Sequence, residues 1–142
     1  MANTYLIRKN SLGVGTAELP FDKAIFKGDL IAVTDTAVGG LIKLENTTGK
    51  DLWITLFLID VTTPSTGAAT VDIGVDDVGD TSVDDLIDGG DVNTAAIVLN
   101  NLVSGGTKGT IVKWPSGHFI TATASASLAG IVGKYHVEAV PV

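Results

Sequence analysis

The chain has no cysteine. Disulfide scaffolds, thiolate metal sites and thiol nucleophiles are therefore excluded, and the compartment is left open. Aromatic residues are few, at 6%. That counts against a carbohydrate groove lined with stacked rings. Histidine occurs twice, as His118 and His136. Bases are also short, with Lys and Arg totalling 9 against 16 Asp and Glu. A net charge of −7 argues against nucleic acid as a partner, because phosphate neutralisation needs clustered Lys and Arg. No run of about 18 apolar residues occurs, so no membrane-spanning helix is expected. Met1 to Lys9 lacks the long apolar core of a secretory signal.

What is present favours strands. Val, Ile, Leu, Ala, Thr and Gly dominate, and Glu, Gln and Met are scarce. A length of 142 residues suits one domain with an adequate core. The charge is uneven: residues 51–91 hold ten acids and no base. The flanking segments are near neutral.

Short apolar runs alternate with turn residues along the chain. Ala24–Phe26, Leu30–Thr34, Leu41–Leu44 and Trp53–Val61 read as strands, with turns at Lys27-Gly28-Asp29 and Asn46–Asp51. Thr70–Val75, Ala95–Leu99, Thr110–Trp114, His118–Ser127 and Ile131–Val140 follow. In Trp53–Val61, strict alternation places Trp53, Thr55, Phe57 and Ile59 on one face. Ile54, Leu56 and Leu58 fall on the other, so a cover is expected on both sides. Val71, Ile73 and Val75 point inward in the next strand. Asp84–Ile87 suits one helical turn with Ser82 as its N-cap. The fold expectation is all-β: a single-domain β-sandwich or jelly roll of about eight short strands. Residues 1–20 form an extended N-terminal arm or edge strand, and residues 21–142 form the sandwich. No fixed-period repeat suggests a propeller or solenoid.

No motif for catalysis or metal binding is complete in the sequence. Asp76, Asp80, Asp84 and Asp88 are spaced by four, but Gly79 interrupts them and like charges repel on a shared helix face. Starting an EF-hand at Asp76 puts Val78 at the third ligand position, so that motif fails. An irregular divalent-cation site in Asp72–Asp91 stays open beside the favoured reading of a solvated acidic or partner-facing segment. His118 and His136 sit in strands without a positioned nucleophile, and no Gly-x-Ser-x-Gly elbow occurs. Gly13-Val14-Gly15 and Gly49-Lys50 do not complete phosphate loops. Asn46-Thr47-Thr48 matches a glycosylation sequon, read as accidental in the absence of an export signal. Trp114, before Pro115, suits either a core cap or a contact anchor. No catalytic, cofactor or metal residue is expected.

Three segments resemble small virion proteins of tailed bacteriophages. They are Ile59–Val75 (IDVTTPSTGAATVDIGV), Asp84–Val92 (DDLIDGGDV) and Leu128–Tyr135 (LAGIVGKY). The likeness spans residues 53–136, about 60% of the chain, and the first two segments are fairly specific together. Such proteins resemble capsid decoration, or cement, proteins. The resemblance implies a structural protein on the virion surface, made in the host cytoplasm. It implies no enzyme activity or cofactor, the major capsid protein as partner, and a homotrimer. Tyr5, Leu6, Ile7, Arg8, Lys9 and Trp114 are then the candidate interface residues, with residues 1–20 reaching onto the capsid or an adjacent subunit. The alternatives are a fibre or receptor-binding module for host-surface carbohydrate, a Ca²⁺-binding adhesin-like module, and an enzyme on a jelly-roll scaffold.

Overall fold

The structure, a computed structural model, describes residues 23–32, 40–94, 97–103, 106 and 111–142. Nine strands occur among them and no helix: β1 Ala24–Asp29, β2 Lys43–Glu45, β3 Leu52–Thr63, β4 Thr70–Asp76, β5 Ile87–Asp91, β6 Ile97–Asn100, β7 Val112–Trp114, β8 Phe119–Ala124 and β9 Val132–Pro141. They form two antiparallel sheets. One has the order β1-β9-β3-β6, with β7 also paired to β3; the other has the order β2-β8-β4-β5. The inner faces enclose one apolar core, including Ile54, Phe57, Ile59, Ile73, Ile87, Ile120 and Val137. This is the expected β-sandwich.

β3 organises the larger sheet. β9 runs along one side, and β7 and then β6 pair along the other. The strand does not alternate strictly. Register slips between Ile54 and Leu56 and again between Val61 and Thr63. Thr55 and Thr62 are the extra residues, and each hydroxyl donates to a carbonyl of β9: Thr55 Oγ1 to Glu138 O at 3.2 Å, Thr62 Oγ1 to Val132 O at 3.1 Å. A bulge leaves backbone groups without ladder partners, and a threonine side chain supplies a donor there. Beyond the first bulge, Asn101 restores pairing: Phe57 N donates to Asn101 Oδ1 at 2.8 Å.

The bulge corrects the expected faces of β3. Leu52, Ile54, Phe57, Ile59 and Val61 are buried. Trp53, Leu56, Leu58 and Asp60 take the solvent side. Strict alternation fails because Thr55 adds one residue and resets the parity.

Other expectations also change. Lys27-Gly28-Asp29 is no turn; it continues β1, paired to His136, Tyr135 and Lys134. Gly28 is needed because a Cβ there would collide with the Tyr135 ring, which lies across it. Leu30 and Ile31 leave the ladder, bonding to the carbonyls of Gly133 and Leu41; residues 33 and 34 of that expected strand lie outside the described residues. The helical turn at Asp84–Ile87 is absent. The Leu86 amide donates to Ile73 O at 2.8 Å, and the Asp85 carboxylate accepts from Val75 N at 3.3 Å. Both groups thus bond β4. The segment then becomes β5, whose Gly90 faces Leu99 of the opposite sheet so closely that a Cβ would collide with it. β8 stops at Ala124, short of Ser127, where Ser125 N turns to Thr70 O. The expected arm lies outside the described residues.

Candidate interaction surface

The solvent face of the five-stranded sheet can be read row by row from the register. Trp53 stands between Val140 and Lys113. The next row holds Leu56, Glu138 and Ile25. Leu58, His136, Lys27 and Asn100 form the third, and Asp60, Lys134, Asp29 and Val98 the fourth. One end of the face thus carries the larger apolar groups, between the ion-paired Lys113 and Glu138, and the other end is mostly charged.

The apolar end is the more distinctive. Trp53 is 38% exposed and Ile111 55% exposed, and with Thr55 and Val140 they line a shallow groove. Trp53 and Ile111 also border a second cleft of about 480 Å³, whose walls include Asp76, Asp77, Asp85 and His118. An exposed indole and aliphatic side chain therefore lie beside carboxylates.

Two of those carboxylates, Asp76 and Asp85, accept hydrogen bonds from backbone amides. Asp76 Oδ2 accepts from Gly79 N at 2.7 Å, Asp80 N at 2.9 Å and Thr81 N at 3.2 Å. Burial works against its charge, but backbone amides from residues 77 and 79–81 outweigh it, so the Asp76 carboxyl titrates below the usual range. Across the sheet, Lys23 and then His136 bond the Glu138 carboxylate and hold its pKa below the ordinary value. The His136 Nε2 to Glu138 Oε1 distance is 3.0 Å. Asp51 is likewise lowered, by Lys113 and by the Ser116 amide.

Neither histidine approaches the geometry of a nucleophile–base pair: among the described residues, no hydroxyl is hydrogen-bonded to either ring. No group of three or more His, Asp or Glu among the described residues converges on a metal position. Four acids of residues 72–91, Asp72, Asp76, Asp85 and Asp91, instead accept from backbone amides. Asp72 Oδ1 accepts from Gly89 N at 2.7 Å, and Asp91 Oδ1 from Asn93 N at 2.8 Å.

Of the six expected interface residues, Tyr5, Leu6, Ile7, Arg8 and Lys9 lie outside the described residues. Trp114 is corrected. It is fully enclosed, packs edge-on against Phe26 at 5.0 Å between ring centroids, and donates from Nε1 to His118 O at 2.9 Å. An indole so placed is a core residue with no face left for a partner. Trp53 is the tryptophan that meets solvent, and strict alternation hid this. The sequon Asn46 is also enclosed: its Nδ2 donates to Lys50 O and Trp114 O, both at 2.8 Å, leaving no room for a glycan.

No helix among the described residues is long and apolar enough to cross a membrane. Comparison with known protein families and with curated proteins returned no match.

Proposed function

We propose that this protein is a structural component of a phage virion, binding the outer surface of the capsid as a homotrimer and reinforcing it. One observation carries the reading from the structure: the solvent side of the central strand β3 keeps Trp53, Leu56 and Leu58, with Ile111 and Val140 beside them. Half-exposed apolar groups on a rigid sheet suit a surface that another polypeptide covers. The three segments that resemble virion proteins supply the capsid as the place, and their continuity through β3, β4, β5 and β9 means that the likeness covers both sheets. A cement protein needs a stiff scaffold and broad contact faces rather than a catalytic pocket. The sandwich and its apolar sheet face meet that need.

The test is cosedimentation of the purified protein with empty heads of the phage that encodes it. Occupancy on heads is expected, with loss of occupancy when residues 1–20 are deleted. A protein that stays in the supernatant at saturating concentration sinks the proposal.

A carbohydrate-binding fibre module is the second reading, favoured by the exposed indole of Trp53, a ring type that stacks on sugars. Against it, no second aromatic ring among the described residues lines the Trp53 groove. Glycan-array binding without affinity for heads would decide for it.

A further inference from the structure

We infer that the groove between Trp53 and Ile111 is the docking site for residues 5–9 of a second copy of this chain, so that each N-terminal segment clasps its neighbour. The inference rests on the homotrimeric reading above and adds the contact that closes the trimer.

The groove fits that occupant in two ways. Its floor is apolar, from Trp53, Thr55, Ile111 and Val140, and it continues past Trp53 into the cleft walled by Asp76 and Asp77. The N-terminal segment carries the matching order, three apolar residues (Tyr5, Leu6, Ile7) followed at once by two bases (Arg8, Lys9). Laid along the groove, the apolar triplet covers the Trp53 indole and the bases reach the exposed Asp77, while Lys113 of the same cleft is already paired with Asp51. A half-buried tryptophan beside an aliphatic side chain is the kind of anchor around which interface energy concentrates. The flanking charges fix the direction in which the segment lies.

The place where the segment leaves the sandwich also fits. The described chain begins at Lys23, ion-paired to Glu138 at the start of edge strand β1. Lys23 precedes Ala24, which pairs with Ala139, and Trp53 pairs with Val140, so both lie at the same end of the sheet. Two strand spacings, about 10 Å, separate β1 from β3. Residues 10–22 reach up to about 45 Å when extended. The axis of β1 points past the end of the sheet at Lys23, whereas the chain's own groove lies to the side. A neighbour placed off that end receives the segment without a reversal. Such a contact joins two different surfaces, and a threefold rotation closes it into a ring.

The experiment uses the full-length chain and its two tryptophans. Trp114 is fully buried, so acrylamide quenching reports on Trp53. Light scattering gives the mass in the same samples. The wild type is expected at three times 14.6 kDa with Trp53 shielded. Ile7→Asp and the double variant Arg8→Glu/Lys9→Glu are expected at 14.6 kDa with Trp53 open to quencher, a native circular-dichroism spectrum and a melting temperature lowered by the loss of assembly. Trp53→Ala, which alters the groove instead of the segment, is also expected to lose the trimer. Variants that remain trimeric with Trp53 still shielded overturn the inference. A wild type that is monomeric with a shielded Trp53 overturns it too, because the segment then folds onto its own chain. None of these measurements involves heads. A trimer closed in this way that fails to bind heads sinks the decoration reading and leaves the clasp standing.

Discussion

The Asn46 side chain donates from Nδ2 to the Trp114 carbonyl at 2.8 Å, across 68 positions of sequence, and this bond joins the two sheets. Asn46 follows β2 in one sheet, and Trp114 ends β7 in the other. The same amide group holds the turn after it: Nδ2 donates to Lys50 O at 2.8 Å, and Oδ1 accepts from Thr48 N at 3.1 Å and Thr48 Oγ1 at 2.7 Å. The Asn46 backbone joins in through His118 O and Gly117 N, each at 2.9 Å. Asn46→Ala leaves the Trp114 carbonyl buried without its donor, a loss of about 2–3 kcal/mol. Urea denaturation is expected to show a lower midpoint with an unchanged slope. Asn46→Asp is expected to be no better, because it cannot donate to either carbonyl.

Asp76 gives the fold an acid-sensitive point. Its folded pKa lies below the ordinary value of 3.8, so its stabilising bonds are fully present above that value. They are lost as pH falls through the folded pKa. Asp76→Ala is expected to cost about 1–2 kcal/mol at pH 7, the range for losing a charged cap on backbone amides. The gap between wild type and variant should close as the pH is taken below the carboxylate range. A gap that stays constant down to acid unfolding would show that the charge of Asp76 is not what holds residues 79–81.

The two tryptophans should behave as opposites. Trp114→Ala empties a site in the middle of the core and is expected to cost about 3–5 kcal/mol. Trp53→Ala removes a half-exposed ring and is expected to cost under about 1 kcal/mol of the monomer's own stability. Thermal melts of the two variants in the monomeric Ile7→Asp background check this. Equal losses would contradict the placement of the bulge at Thr55.

Calcium should leave the melting temperature unchanged, as should a chelator. The carboxylates of Asp76 and Asp91 accept from backbone amides of their own loops, and that of Asp72 from Gly89 N of β5. Among the described residues, no three acids or histidines converge on a point that a cation could occupy. A rise in melting temperature with millimolar Ca²⁺ would revive the cation reading of residues 72–91.

The sequence made the two-sheet architecture legible because the apolar runs are short and bounded by turn residues. Thr70–Val75 shows the method at its best: Val71 and Ile73 are buried as alternation requires. Where it failed, something non-local decided. β5 reads as Ile-Asp-Gly-Gly-Asp, a poor strand by propensity, and forms because Ile87 enters the core and Gly90 admits Leu99 from the other sheet. Lys27-Gly28-Asp29 has turn composition, yet Gly28 is there to pass under the Tyr135 ring. The exposed indole of Trp53 was hidden for a related reason. A bulge is set by pairing with β9, and nothing within β3 itself announces it.

The bulge at Thr55 has a consequence for chain length. Residue 55 can be exchanged for another small polar residue with the loss of little more than the bond to Glu138 O. Its deletion would close the ladder without turning any side chain over. Leu56 would follow Ile54 directly, with Glu138 and Ala139 still opposite them, so Leu52 and Ile54 stay inside and Trp53 outside. At this position the strand therefore tolerates a change of count as well as a change of letter. A residue removed from any paired position of β3 would instead turn over every side chain on one side of the cut.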